Sequence, residues 1–406
     1  MKIGILTFHA QLNYGGVLQC WALQTALEKM GHEVVVIDRW LEDWRNIHDT
    51  VYDRMSWQQW AKFWLRSFLG LGDKNPWLRV LRTKRFITRH LHLTPYHFID
   101  WNDAPKDLGI DMLVVGSDQV WHCGDWGDPR PYLLDGAPPI PSIAYAASFG
   151  MTGIPQWIDN RHPEVSALPF YKFGLAKFKS LSCRESEGVE LCKQMGFEAE
   201  HVVDPTLLVD ADRWHELGWQ AKPSKRKKGK RRLVCYFLSE DLNKARPLLE
   251  EFAEWNNCGV DVFADSSVFF PLPFPSNFEK TKRWMKGLRT KWSGRVNIRD
   301  AADPIEFVSA LSSADWVVSD SFHALMFSLI FNRNVRIIKP TQEKRSKMFA
   351  RIEEFVLHMS GPVLADSLDA SLHSLQANEA VSFDAVWLGE QKAQSVAFLS
   401  KCLNVI

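Results

Sequence analysis

Short apolar runs alternate with segments of helical periodicity along most of this chain, and this alternation constrains its fold more than any other feature. Residues 2–8 form one apolar run, residues 17–30 repeat apolar side chains at helical spacing, and residues 33–38 form the next run. Such a unit predicts a strand, a helix and a second strand parallel to the first. The chain is therefore predicted to open with an α/β domain.

The same alternation resumes after a basic interruption, which predicts two Rossmann-like domains facing a cleft. The interruption, residues 221–232, contains eight Lys or Arg residues and is either a solvated linker or a surface for anionic phospholipid or a polyanionic glycan. We predict the first domain over 1–220, the second over 233–345, and C-terminal helices over 346–406 that pack back on the first domain. The Trp-, Arg- and His-rich residues 40–100 predict a helical insertion in the first domain.

The composition is that of a globular protein and gives no indication of a nucleic-acid partner. Of the 406 residues 46% are hydrophobic and 24% are charged, and the formal net charge is +1. Seven cysteines form no CxxC pair and no Cys/His metal spacing, so we expect free thiols in a reducing cytosol and no metal site. Without a signal peptide or an apolar run of roughly 18 residues, we expect a cytoplasmic protein, with a peripheral contact at the inner membrane face left open.

The segment 315–331 carries the most specific chemical signal. A short apolar strand leads into Ser319, Asp320 and Ser321, and Ser and Asp are good N-caps, so a helix is predicted to start there. His323 then lies in the first turn, where unpaired N–H groups and the helix dipole favour an anion such as phosphate. A histidine there can also move a proton at neutral pH, or it can simply cap or pack at the helix start.

Two further candidates follow other predicted strands. Arg184 comes directly after the run 180–183, where a forked and permanently charged guanidinium can bind an anion. The alternative is a surface ion pair with a neighbouring glutamate. Asp118 follows the run 111–116 and can take a proton from a hydroxyl, or it can serve as an N-cap.

Three residues before the first helix and two near the C-terminal helices are further candidates for binding a phosphorylated or carboxylated donor molecule. Asn13, Gly15 and Gly16 form a loop in which glycines allow close approach of the backbone to a ligand, although a plain tight turn needs the same residues. Arg345 and Arg351 lie near the start of a predicted helix, where they can contact an anionic donor or face solvent.

Eight short blocks along the chain together resemble the polysaccharide pyruvyl transferases. They occur in the order of that family and span most of residues 1–338. The blocks are Gly4-Ile-Leu-Thr-Phe-His9, Asn13-Tyr-Gly-Gly-Val-Leu-Gln19, Gly31-His-Glu-Val-Val-Val-Ile-Asp38, Asp111-Met-Leu-Val-Val-Gly-Ser-Asp-Gln-Val-Trp121, Ala144-Tyr-Ala-Ala-Ser-Phe-Gly150, Leu181-Ser-Cys-Arg-Glu185, Val203-Asp-Pro-Thr-Leu207 and Ser319-Asp-Ser-Phe-His323.

The resemblance implies a GT-B-like architecture and a specific reaction. Phosphoenolpyruvate, a co-substrate with no further cofactor, would donate its three-carbon unit to two hydroxyls of a sugar, giving a cyclic ketal and phosphate. The acceptor would be a free sugar or a nucleotide- or lipid-linked glycan. Asp118, Arg184 and His323 would carry catalysis or donor binding, and Ser321 and Phe322 would adjoin the donor.

Two other functions fit the same fold, because fold does not fix function. One is a GT-B-type glycosyltransferase that uses a nucleotide sugar. The other is a non-catalytic glycan-binding protein that stacks sugars on some of the 18 tryptophans.

Overall fold

Two parallel β-sheets, each flanked by helices, form the architecture of this chain. The computed structural model describes residues 1–40, 56–58, 61, 75–123, 128–154, 166–221, 231–264, 293–340 and 349–404. The two sheets confirm the predicted α/β fold of two Rossmann-like units. None of the described helices combines the length and the apolar character that a membrane crossing requires.

The first sheet has seven parallel strands in the order β3-β2-β1-β4-β5-β6-β7. Its strands are β1 (Lys2–Leu6), β2 (Glu33–Arg39), β3 (Leu93–Phe98), β4 (Met112–Val115), β5 (Ser142–Ala147), β6 (Ser180–Cys183) and β7 (Glu200–His201). Its helices are α1 (Tyr14–Lys29), α2 (Asn75–His90), α3 (Ala167–Leu175), α4 (Ser186–Gln194) and α5 (Ala211–Trp219). The strand order reverses between β1 and β4, and such a reversal opens a crevice at the carboxyl ends of the strands.

The second sheet has six parallel strands in the order β10-β9-β8-β11-β12-β14, with a reversal between β8 and β11. Its strands are β8 (Arg232–Phe237), β9 (Gly259–Ala264), β10 (Val296–Ile298), β11 (Trp316–Ser319), β12 (Asn334–Ile338) and β14 (Leu364–Ala365). Its helices are α6 (Leu242–Trp255), α7 (Pro304–Ser312), α8 (Phe322–Ile330), α9 (Ala350–Val356) and α10 (Leu368–Gln376). A separate antiparallel pair joins β13 (Met359–Ser360) to β15 (Ser382–Phe383).

The predicted helical insertion differs from the structure at its end. Residues 75–90 are helical as expected, but residues 93–98 form β3, which pairs with β2 at the edge of the first sheet. Aromatic and β-branched residues favour a strand there, and Pro95 is compatible with an edge strand, where an N–H can be missing. Residues 41–55, 59–60 and 62–74 of the insertion lie outside the described residues.

A buried aromatic contact joins the two units. The ring of Tyr14, the first residue of α1, stacks on Phe307 of α7 with centroids 4.5 Å apart. The Tyr14 hydroxyl donates to the carbonyl of Ala302 at 2.9 Å. Trp214 of α5 packs edge-on against Phe327 of α8 at 4.8 Å. The N-terminus of α1 is therefore held against the second unit.

The C-terminal helix α11 (Ala385–Leu403) returns to the first sheet. Asp384 caps it by accepting from the amides of Val386 and Trp387. Further along the helix, the Ser395 hydroxyl accepts from the buried amide of Val203 at 2.9 Å. Helix α11 thus connects the second unit, which it follows in the chain, to the first unit, on which it packs.

Candidate active site

The candidate site lies where the start of α8 in the second unit meets the start of α1 in the first, with the His323 ring against Gly15. The loops after β1 and β4 come from the first unit, and the loop after β11 comes from the second. His323, the second residue of α8, has its Nε2 atom 3.8 Å from Asp204 Oδ2 of the first unit. The site is therefore assembled from both units.

Arg184 organises the first unit's side of the site through three carboxylates. Its Nε donates to Glu185 Oε1 at 2.9 Å, its Nη1 to Asp204 Oδ2 at 3.1 Å and its Nη2 to Asp118 Oδ1 at 3.2 Å. The Arg184 side chain is fully buried, so it is not the surface ion pair that the sequence left open. Burial alone would lower the pKa of this guanidinium, but the three carboxylates outweigh burial and raise it.

Hydrogen bonds fix two of these carboxylates further. The Ser148 hydroxyl donates to Glu185 Oε1 at 2.7 Å, and the Ser117 hydroxyl donates to Asp204 Oδ2 at 3.2 Å. Thr206 donates to Asp204 Oδ1 from both its amide and its hydroxyl. Although burial opposes it, the charge of Arg184 and the two bonds from Thr206 hold the pKa of Asp204 below its usual range.

Asp118 reaches the site through an unusual backbone path. Gly116 has φ +112°, and a Cβ there would lie 2.4 Å from the carbonyl oxygen of Tyr145, so only glycine fits. Asp118 itself has φ 70°, in the left-handed region that Asp tolerates better than most residues. It is followed by a turn rather than a helix, and its Oδ1 accepts from the Gln119 amide, so it does not cap a helix.

His323 is buried and its Nε2 has no hydrogen-bond partner among the described residues. The ring is 7% exposed and packs against Gly15, where an added Cβ would lie only 2.0 Å from Nδ1. Burial lowers the pKa of His323 below its ordinary 6.5, and this effect exceeds the opposing influence of Asp204 and Asp118. The imidazole is therefore neutral at pH 7 and can accept a proton.

Two arginines lie against the ring of Phe322. The guanidinium carbons of Arg184 and Arg351 are 5.0 Å and 5.2 Å from its centroid. The buried Nε of Arg351 has no hydrogen-bond partner in the described part of the chain. Burial and the nearby Arg184 lower the pKa of Arg351 to about 10, so it stays charged at pH 7. Arg345 lies outside the described residues.

The loop before α1 uses its own side chain as a cap. Asn13 Oδ1 accepts from the amide of Gly15 at 2.8 Å and from that of Gly16 at 3.4 Å. Because the two glycines lack a Cβ, the side chains of His323 and Asp118 can pack closely against the start of α1. A Cβ on Gly15 would collide with His323, and one on Gly16 would lie 3.2 Å from Asp118 Oδ2. These residues thus shape the site, and the N–H groups expected for a ligand are already bonded.

Helix α8 differs from α1 at its start. Ser321 is in the N-cap position but its side chain makes no capping hydrogen bond. Its amide donates instead to the Ser319 hydroxyl at 3.1 Å. The first-turn N–H groups of α8 are thus not bonded to a capping side chain, and the dipole at this end favours negative charge.

Sequence reasoning missed Glu185 and Asp204. Both lie within blocks that carried the family resemblance. Glu185 directly follows Arg184, and Asp204 precedes Pro205 at the start of a turn, so neither was selected as a site residue. Their partners became visible only with the sheet order. Within the described ranges, no group of three or more His, Cys, Asp or Glu side chains has the arrangement of a metal site.

We expect Gly15→Ala to displace the His323 ring and to lower the free energy of unfolding by about 1–3 kcal/mol, as overpacking in a core does. Melting curves measure this loss. Gly389→Ala in α11 is the matched control, because nothing lies within 4 Å of an added Cβ there. Equal melting temperatures for Gly15→Ala and the wild type would contradict the packing of the ring on α1.

Several solved structures resemble this chain in overall architecture at low sequence identity. The UDP-GlcNAc 2-epimerase from Neisseria meningitidis is 11% identical with TM-score 0.47, over 99% of this chain and 100% of that chain. The enzyme of the same name from Methanocaldococcus jannaschii is 12% identical with TM-score 0.46, over 99% and 100%. The glycosyltransferase SnogD from Streptomyces nogalater is 12% identical with TM-score 0.40, over 99% and 96%.

Sequence comparison identifies the family. No curated protein matches the chain. The family model described as polysaccharide pyruvyl transferase matches residues 13–341, which is most of the 406 residues. The match includes the loop before α1, the Arg184 segment and the start of α8, and it confirms the resemblance seen in the short blocks. This chain therefore belongs to the polysaccharide pyruvyl transferase family.

Proposed function

We propose that this protein transfers the three-carbon unit of phosphoenolpyruvate to two hydroxyls of one sugar, forming a cyclic pyruvate ketal and releasing phosphate. Family membership supports a transferase of this class. The observation that carries the proposal is the buried His323 Nε2, which faces Asp204 near Arg351. Among the described residues, neither this nitrogen nor the Nε of Arg351 has a hydrogen-bond partner. Unpaired buried polar atoms are costly, and a substrate would give them partners.

His323 would act first as a base. As the oxygen of a sugar hydroxyl bonds to C2 of the enol phosphate, its O–H bond breaks and the proton passes to the neutral imidazole. The imidazolium delivers that proton to C3 in the same coupled step, because C2 is electrophilic only as C3 is protonated. The electron pair of the C2–C3 double bond forms the new C–H bond, so the methylene becomes a methyl group. Asp204, with Oδ2 at 3.8 Å from Nε2, stabilises the imidazolium between these two transfers.

The second hydroxyl closes the ketal. The C2–O bond to phosphate breaks, and the second oxygen bonds to C2 as its proton leaves. Asp118 would take this proton, because its side chain is partly exposed and its Oδ2 lies close to Gly16 in the first turn of α1. Asp118 then passes this proton to the departing phosphate, so the two hydroxyl protons end on C3 and on phosphate.

Arg351, rather than Arg184, would bind the donor anion. All three nitrogen positions of Arg184 already donate to carboxylates, which makes it a positioning residue. Arg351 stays charged, and its Nε has no partner in the described part of the chain. The uncapped start of α8, which begins at Phe322 beside Ser321, would supply first-turn backbone N–H groups for the phosphate.

The acceptor would be a sugar of a surface glycan or of its precursor, presented at the cytoplasmic face of an anionic membrane. Support comes from Trp219 and Trp255, which are 78% and 79% exposed. Trp219 ends α5 just before the basic residues 221–232, and Trp255 lies four residues before Gly259, whose amide donates to Arg231. Exposed tryptophan beside basic residues is typical of a membrane-interface contact.

Turnover tests the reaction. With phosphoenolpyruvate and a panel of sugar acceptors, we expect phosphate release and a product heavier by one pyruvate ketal. His323→Ala should lower kcat by about 10²–10⁴-fold, the usual contribution of one acid–base group. Lys29→Ala, which removes an exposed ion pair, should keep the wild-type rate. Thermal stabilisation by a nucleotide sugar but not by phosphoenolpyruvate would favour a glycosyltransferase instead.

The pH dependence of kcat/KM tests the protonation state of His323. Because the neutral imidazole is the active form and burial lowers its pKa, activity should fall on the acidic side, at a pH below 6.5. Arg351 also lowers this pKa, so in Arg351→Gln the acidic limb should move to higher pH. Because the wild type and the variant use the same substrate, ionisation of the substrate affects both pH profiles equally and does not account for a shift between them. An acidic limb at the same pH in both proteins would refute the assignment.

Vesicle sedimentation tests the membrane contact. We expect binding to vesicles of phosphatidylglycerol and phosphatidylcholine that weakens as salt increases, and little binding to phosphatidylcholine alone. Trp219→Ala combined with Trp255→Ala should reduce binding several-fold. Phe173→Ala, which removes another exposed aromatic side chain, is the control and should bind as the wild type does. Equal binding of all three proteins would exclude the two tryptophans from the contact.

A further inference from the structure

Helix α9 carries both Arg351 and a second charged residue, Glu354, one turn later. Glu354 reaches across to the first unit. Its Oε1 lies 3.2 Å from Nε2 of His201 in β7. Its Oε2 accepts from the amide of Ser186 at 3.3 Å and from the Ser186 hydroxyl at 3.4 Å. One carboxylate thus joins α9 to two elements of the first sheet's unit.

The contact with Ser186 occupies the N-terminus of α4. Glu185 is in the N-cap position of this helix but makes no side-chain capping bond. The carboxylate of Glu354 takes that place from outside the helix, where the unpaired N–H groups and the positive end of the dipole favour a negative charge. Because α4 follows Arg184 and Glu185 directly, Glu354 is anchored to the same backbone that holds the carboxylate cluster.

Arg351 depends on its surroundings for its position. Its Nε has no hydrogen-bond partner in the described residues, and its guanidinium rests on the ring of Phe322. The neighbouring Phe355 packs edge-on against the same ring at 6.0 Å. Since α9 has only seven residues, the attachments of the helix determine where Arg351 points.

We propose that Glu354 is a positioning residue, a latch that docks α9 onto the first unit and so holds Arg351 toward the anion site. This inference rests on the proposed role of Arg351 in binding the donor. It predicts that the anion site is complete only while the two units are engaged through Glu354, His201 and Ser186. Release of this contact would let α9 withdraw and take the arginine with it.

A double-mutant cycle on anion affinity tests the latch, with sulfate and phosphoenolpyruvate as separate calorimetric probes. We expect Glu354→Ala to weaken binding of both about ten-fold and Arg351→Gln to weaken it at least as much. The double variant should bind no more weakly than Arg351→Gln alone, because Glu354 acts through Arg351. Glu353→Ala, an exposed neighbour on the same helix, is the matched control and should bind as the wild type does.

A second variant guards against loss of folding. Glu354→Gln keeps an oxygen for the Ser186 amide but loses the charge that faces His201, so it should give a smaller loss of affinity with an unchanged melting curve. Additive effects in the cycle, unchanged affinity in Glu354→Ala, or no sulfate binding by the wild type would each overturn the latch. Coupling on sulfate together with no turnover of phosphoenolpyruvate would instead refute the proposed reaction and leave the latch standing.

Discussion

The rest of the site depends on the guanidinium of Arg184. It binds carboxylates from three separate places: the turn after β4, its own neighbour Glu185, and the turn that follows β7. Burying three negative charges without a cation would be strongly unfavourable, so these turns can approach one another only around this side chain. The forked geometry of arginine also fixes the directions of the three bonds, which a lysine could not do. The positions of Asp118 and Asp204 follow from this arrangement.

The second unit contributes the imidazole of His323, which lies next to this cluster of carboxylates. His323 is buried against the glycine backbone of α1, and burial disfavours its charged form more than Asp204 and Asp118 favour it. The two arginines differ in their bonding: each nitrogen of Arg184 donates to a carboxylate, whereas Nε of Arg351 has no partner in the part of the chain that the structure describes. A neutral imidazole beside a cation whose Nε has no partner among the described residues suits the proposed enol phosphate and sugar hydroxyl. In this arrangement the proposed chemistry depends on contact between the units, since the imidazole and the carboxylates belong to different sheets.

Several features could be predicted because they depend on neighbours along the chain. Apolar runs and helical spacing gave the strands β1, β2 and β11 and the helices α1 and α8 within a few residues. The edge strand β3 was missed because a short aromatic segment after a helix has weak periodicity, and its pairing with β2 is a long-range event. The family blocks marked Asp118, Arg184 and His323, and the structure brings these three side chains together. The basic residues 222–230 and Arg345 lie outside the described residues, so their predictions stand as they were.

The sequence by itself determined the two α/β units, the helix start at Phe322 and the family, because these follow from local periodicity, from the preference of Ser and Asp for the position before a helix, and from short motifs. Only the tertiary structure decided that Arg184 is saturated by carboxylates while Nε of Arg351 has no partner among the described residues, that Glu185 and Asp204 join the candidate site, and that burial lowers the pKa of His323. The reason is physical. Arg184 and Asp118 are 66 residues apart, and strand order alone brings them into contact. The protonation of a histidine depends on burial and on charges from other elements, which no local pattern records.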